Sequence, residues 1–169
     1  MLIVENGTGL ADSDSYVSLA DARLIAAKYG VTLPTDDESA ETAIRNGTLY
    51  VDMQESQFCG SRLLSTQSLA WPRVDAVNSF GFDIASDSIP PQLAKAVVMA
   101  AAEYGAGVDV RATSDGKEIA SEEVTGKVAV SYFQNGKSGA AVVITKCLDA
   151  LKPLLACGNN GFSFRVGRS

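Results

Sequence analysis

The sequence predicts a mainly α fold: a helical bundle of about four helices with an inserted β-hairpin and an extended C-terminal tail. Three observations carry this. Apolar residues recur at helical spacing in four stretches bounded by capping or breaking residues. One later stretch, KEIASEEVTGKVAVSYF, changes to alternation on either side of Gly126. The end of the chain, CGNNGFSFRVGRS, follows a Gly-Asn-Asn-Gly linker and belongs to neither pattern. The 169 residues, 46% hydrophobic and 20% charged, suit one globular domain with a tail. The domain is placed at 1–156, its hairpin at about 117–133, and the tail at 157–169.

The elements come in order along the chain. Leu2-Ile3-Val4 reads as a short extended segment ending in an Asn6-Gly7 turn. In the first helix Ser18 is the N-cap, Asp21 stands at the capping-box position, and Gly30 ends the helix. Leu19, Ala22, Ile25, Ala26 and Tyr29 share one face. Thr35 and Glu38 form a capping box for the second helix, whose stripe includes Ala40, Ala43, Ile44, Tyr50 and Val51. Gly47 lies inside it, costing about 1 kcal/mol against alanine and allowing a close helix contact. The acids Asp36-Asp37-Glu38 favour the positive end of that helix; a metal site is the other reading, but no oxygen-rich partner follows at ligand spacing.

Residues 56–90 carry no period and are expected to be irregular. The third helix starts at Pro90-Pro91 and is apolar nearly all round, as befits the centre of a bundle. The last helix is expected over about 141–156, with Ile144, Cys147, Leu148, Leu151 and Leu155 on one stripe and Pro153 shortening or kinking it. In the tail, Phe162, Phe164 and Val166 alternate with Ser163, Arg165 and Gly167. This is either a frayed end or a strand that adds to another protein.

Composition excludes several chemistries. There is no histidine, so neither a Ser-His-Asp triad, nor a Cys-His pair, nor HExxH zinc chemistry can be built. No P-loop or GxGxxG is present, and Gly7-Thr8-Gly9 is too short to cradle a phosphate. Neither an enzyme nor a cofactor or metal site is expected. The three cysteines, Cys59, Cys147 and Cys157, form no CxxC pair, and reduced thiols are expected. No apolar run approaches the roughly 18 residues of a membrane span, and the N-terminus lacks the basic flank of a signal peptide.

Net charge is −6, with −7 in residues 1–60 and +1 in the remainder. No Lys/Arg run offsets it, so charge gives nucleic-acid binding no support.

The one tryptophan lies in SLAWPR, residues 68–73. Pro72 forces a bend at Trp71. Trp71 is read as a structural anchor in the core, against the alternative of a base-stacking platform. A stacking groove needs a positive track beside its aromatics, and only Arg62 and Arg73 are near. Arg73 is expected at the surface, in an exposed or inter-subunit ion pair.

VENGTG with SDSYVSLADA, AIRNGTLYVD, Gln67 with LAWPR, IPPQLAKA and EEVTGKVAVSY occur in this order. Together, over roughly residues 1–156, they resemble a family of tailed-bacteriophage head-to-tail adaptor (connector) proteins. That family is often labelled DnaT-like single-stranded-DNA-binding. The resemblance implies a helical bundle bearing a hairpin, assembled as a homo-oligomeric ring, usually a dodecamer, below the portal protein. The ring would extend the channel for double-stranded DNA, without specific binding, and receive tail-side or tail-completion proteins. The implied location is the capsid–tail junction of the virion, after synthesis in the host cytoplasm.

The leading expectation is therefore a structural virion protein, and the alternative is a single-stranded-DNA-binding replication protein. Phe162, Phe164, Arg165 and Arg168 are the candidate portal or inter-subunit contacts, since the tail has no partner nearby in sequence.

Overall fold

The computed structural model describes residues 1–108 and 143–155. Within them the chain forms α1 (Leu19–Tyr29), α2 (Asp37–Asp52), α3 (Pro91–Gly105) and α4 (Thr145–Leu151). Four two-residue strands lie between α2 and α3: β1 (Ser61–Arg62), β2 (Arg73–Val74), β3 (Ala76–Val77) and β4 (Asp83–Ile84). The fold is helix-dominated, as expected. The expected hairpin at 117–133 and the tail at 157–169 lie outside the described residues.

Helix ends obey local chemistry. Ser18 Oγ accepts from Asp21 N–H at 3.1 Å and donates to Asp21 Oδ2 at 2.6 Å. Gly30 closes α1 in the left-handed region, with φ 67°, and its N–H reaches back to the last carbonyls of the helix. In α2 the cap is one residue later than expected. Asp36, not Thr35, accepts from Ser39 N–H at 2.9 Å and from Ser39 Oγ at 2.8 Å. The acidic triplet thus serves the helix end, and Asp37 pairs with Arg23 at 2.6 Å. No group of potential metal ligands occurs among the described residues. Proline starts α3, as its missing N–H and fixed φ allow.

The central helix is α3, which packs against α1, α2 and α4. Leu93, Ala96, Val97, Val98, Ala100 and Ala101 on it are fully buried. Its small residues permit close approach, and Gly47 of α2 uses it. A Cβ at position 47 would lie 2.6 Å from Val97 O and 2.9 Å from Ala101 N. Here glycine's conformational cost is offset by helix–helix contact that no other residue permits. The α4 helix is shorter than expected, giving way to a 3₁₀ turn at Lys152–Leu154 that contains Pro153. Its entry is held from α2: Ile144 N–H donates to Tyr50 Oη at 2.9 Å. Cys147 and Leu151 bury its inner face. Burial pushes the Cys147 thiol up to about 12, which makes it inert. Cys59 is disulfide-bonded, which corrects the expectation of reduced thiols there.

Residues 56–90 are the largest departure from expectation, because they fold into two small antiparallel hairpins. In the first, Ser61 pairs with Val74 and Arg62 with Arg73; in the second, Ala76 pairs with Ile84 and Val77 with Asp83. The chain turns between them at Asp75, with φ 54°. The N-terminal segment makes a single parallel bridge, Val4 with Ser15, in place of a strand. No helix among the described residues is long and apolar enough to cross a membrane.

Candidate functional site

Trp71 is the natural place to look for a binding surface, and it is closed. Its side chain is 1% exposed and packs edge-on against Phe58, with ring centroids 5.7 Å apart. The Trp71–Pro72 peptide is cis. The ring is enclosed in the hydrophobic core. A base cannot stack on a ring that solvent does not reach. The indole Nε1 finds no acceptor among the described residues.

Around the ring runs a polar collar. Trp71 N–H donates to Tyr16 Oη at 3.1 Å, and that hydroxyl donates to Asp52 Oδ1 at 2.5 Å. Asp52 Oδ2 accepts from Ala70 N–H at 3.2 Å. Burial pushes the Asp52 carboxyl up to about 6, against the hydrogen bonds from Tyr16 and Ala70. Burial, followed by the Asp52 charge, holds the Tyr16 phenol well above its ordinary range.

On the other side Gln67 Nε2 donates to Leu69 O at 2.8 Å and Pro72 O at 3.1 Å. Arg73 corrects its expectation: it is 5% exposed, not a surface group. Its guanidinium donates to Cys59 O at 2.8 Å, Gly60 O at 2.7 Å and Ala70 O at 3.1 Å. The fork satisfies carbonyls that the tight hairpin leaves unpaired. Glu55 joins the two arginines, with Arg62 bidentate at 2.6 and 2.7 Å and Arg73 at 3.5 Å. The Arg62 hydrogen bond holds the Glu55 carboxyl below its usual range.

The glycine loop near the N-terminus has a similar character. Its backbone N–H groups do form an anion cradle, and the anion is internal. Glu5 is 3% exposed and accepts from Asn6, Gly7, Gly9 and Leu10 N–H at 2.8–3.1 Å, and from Ser13 Oγ at 3.1 Å. With Glu5 in place there is no room for a phosphate.

Cations are committed in the same manner. The described residues hold fifteen acids and eight bases, a net −7. All four arginines there bind carboxylates: Arg23 to Asp37, Arg45 to Asp14 and Glu41, and Arg62 and Arg73 to Glu55. Lys146 pairs with Glu103 and Lys152 with Asp149. Among the described residues, one spot joins positive charge to an exposed aromatic: Lys95 Nζ lies 4.4 Å and Lys28 Nζ 5.8 Å from the centroid of half-exposed Tyr29.

Two aromatic rings that sequence reasoning passed over are exposed: Phe80 and Phe82, at the tip of the second hairpin. Their signal was NSFGFD, two aromatics flanking a glycine between polar residues. Tyr16, Asp52 and Glu55 were also missed, because their partners are distant in sequence. Phe162, Phe164, Arg165 and Arg168 lie outside the described residues.

Comparison with curated proteins and with solved structures finds no match. A family model does match, over residues 1–169, and its description reads "Putative DnaT-like ssDNA binding protein". Because that match takes in the whole chain, collar, glycine loop and hairpins included, the chain belongs to this DnaT-like family.

Proposed function

We propose that the chain is a structural virion protein, a head-to-tail adaptor whose copies form a ring below the portal and extend the DNA channel. The observation that carries this reading is the charge of the described body. It is net −7, and every arginine in it contacts a carboxylate, Arg62 and Arg73 sharing that of Glu55. Phosphate binding depends on free cations that displace counterions, and this body offers no track of them. A wall of such sign lets duplex DNA pass without sticking. The virion setting comes from the ordered sequence resemblance, and the tail residues Phe162, Phe164, Arg165 and Arg168 serve as the proposed portal or inter-subunit contact. Quantitative mass spectrometry of purified phage particles tests it. About one copy per portal subunit is expected, and absence from mature particles overturns the reading.

Single-stranded-DNA binding is the second reading. The family description favours it, and the Lys28–Tyr29–Lys95 cluster is the one feature of the described body that suits it. It requires oligonucleotide affinity that falls steeply with salt and is lost on Lys28→Glu with Lys95→Glu. A flat anisotropy titration with oligo(dT) at low salt removes it.

A further inference from the structure

Two patches of the described surface are apolar, opposite in charge and unused by the fold. The first is the tip of the second hairpin. Phe80 is 74% and Phe82 69% exposed. Their turn is fixed from within: Asn78 Oδ1 accepts from Phe80 and Phe82 N–H at 3.0 Å each, and Asn78 N–H donates to Phe82 O at 2.9 Å. The segment also carries Asp75, Asp83 and Asp87, all exposed, and no lysine or arginine occurs between Arg73 and Lys95. None of these three acids enters an ion pair among the described residues.

The second patch lies on the outer side of α1 and on the neighbouring part of α3. Ala22 and Ala26 bury the inner side of α1, yet the outer side is not polar. Leu24 is 70% exposed, Ala20 and Ala27 are exposed with it, and Lys28 follows Leu24 by one helical turn. Tyr29 lies against the ammonium groups of Lys95, at 4.4 Å from the ring centroid, and Lys28, at 5.8 Å. Every other base among the described residues has a carboxylate partner there; these two lysines have none. Leu24 and its alanines offer nothing to a phosphate backbone, so the patch suits a protein better than a nucleic acid.

We propose that the two patches bind each other between copies of this chain, the hairpin tip of one copy docking on the outer face of α1 in the next. Phe80 and Phe82 cover Leu24 and Tyr29, which removes apolar surface from water and sets ring against ring. Asp83 and Asp87 meet Lys28 and Lys95, and opposite charge fixes the orientation. The contact uses a different surface on each side, so a copy that has docked still offers its other patch to a third. A heterologous contact of this kind propagates, as a ring needs, whereas a two-fold contact stops at a dimer. The proposal deepens the adaptor reading by naming the surfaces between copies and rests on that reading for closure of the ring. The pairwise contact is read on the free chain.

Sedimentation velocity of the full chain at low salt, from about 1 to about 500 μM, tests it. Association that grows with concentration is expected. It should weaken about tenfold or more in the double variant Lys28→Glu with Lys95→Glu, and likewise in Asp83→Lys with Asp87→Lys. Mixing the two variants should restore it, because each supplies the charge that the other lacks; two misfolded proteins would not complement each other. A wild-type chain that stays monomeric throughout overturns the proposal. So does association that both variants leave unchanged, and so does a mixture that associates no better than its parts. A monomeric wild type that binds oligo(dT) through Lys28 and Lys95 also overturns it, and assigns the patch to nucleic acid. A monomeric wild type that is nonetheless present in purified phage particles removes this contact and leaves the adaptor reading standing.

Discussion

Residues 55–74 and residues 75–87 are neighbours that the chain treats in opposite ways. Both are short antiparallel hairpins with aromatics and charges. The first turns its tryptophan and one of its arginines inward: Trp71 and Arg73 are buried, and each charge has a partner. The second turns its rings outward and leaves its acids exposed. Hydrophobicity alone does not separate them. The difference lies in what stands behind each ring. Trp71 has Phe58 and the Tyr16–Asp52 pair on its inner side, whereas Phe80 and Phe82 sit on a turn that projects past the core. One hairpin is therefore part of the fold's stability, and the other is available to a partner.

Substitution at Trp71 makes the sharpest test of this contrast. Trp71→Ala should cost about 3–5 kcal/mol in chemical denaturation, the range for emptying a large aromatic site. A loss below about 1 kcal/mol would mean that the ring is no anchor. Arg73→Met comes next. It strands the carbonyls of Cys59, Gly60 and Ala70 and should cost about 2–3 kcal/mol by the same measurement.

Asp52 gives a pH signature. Its folded carboxyl, at about 6, lies above the unfolded value of roughly 3.9. Protonation therefore favours the fold, and this contribution is complete below the unfolded value and lost as pH rises through about 6. Glu55 and Asp36 act in the opposite sense, since their folded values are lowered and their contribution disappears at more acid pH. The melting temperature should therefore rise from pH 7 to about 5 and fall below about 4. Asp52→Asn should flatten the rise alone. The smallest effect belongs to the other hairpin: Phe80→Ser with Phe82→Ser should change stability by no more than about 0.5 kcal/mol. A larger loss would place those rings in the fold's own core.

How much of the fold was legible in the sequence depended on how local the cause was. Ser18, Gly30 and Pro90-Pro91 act on the backbone beside them, and they mark the ends of α1 and the start of α3. Thr35 and Asp36 are both able to cap, and nothing local chooses between them. Gly47 could be read as a contact because glycine inside a helix needs a reason. Strands of two residues carry no period, so the hairpins were invisible. Arg73 was misplaced because its partners are backbone carbonyls, which no side-chain pattern reveals. Tyr16 meets Asp52 across 36 positions, a closeness that only the folded chain creates.

The hydrogen bond from Ile144 to Tyr50 has a further consequence. It fixes the point where the chain re-enters the bundle, and α3, packed against α4, fixes the point where it leaves. The described chain is therefore held on packed helices both where it stops, after α3, and where it resumes, before α4. Doubling the length of a flexible connection between two fixed points costs only about 0.6 kcal/mol in closure entropy. The four helices can act as a chassis that tolerates a change in the length of chain between those two points without redrawing their packing.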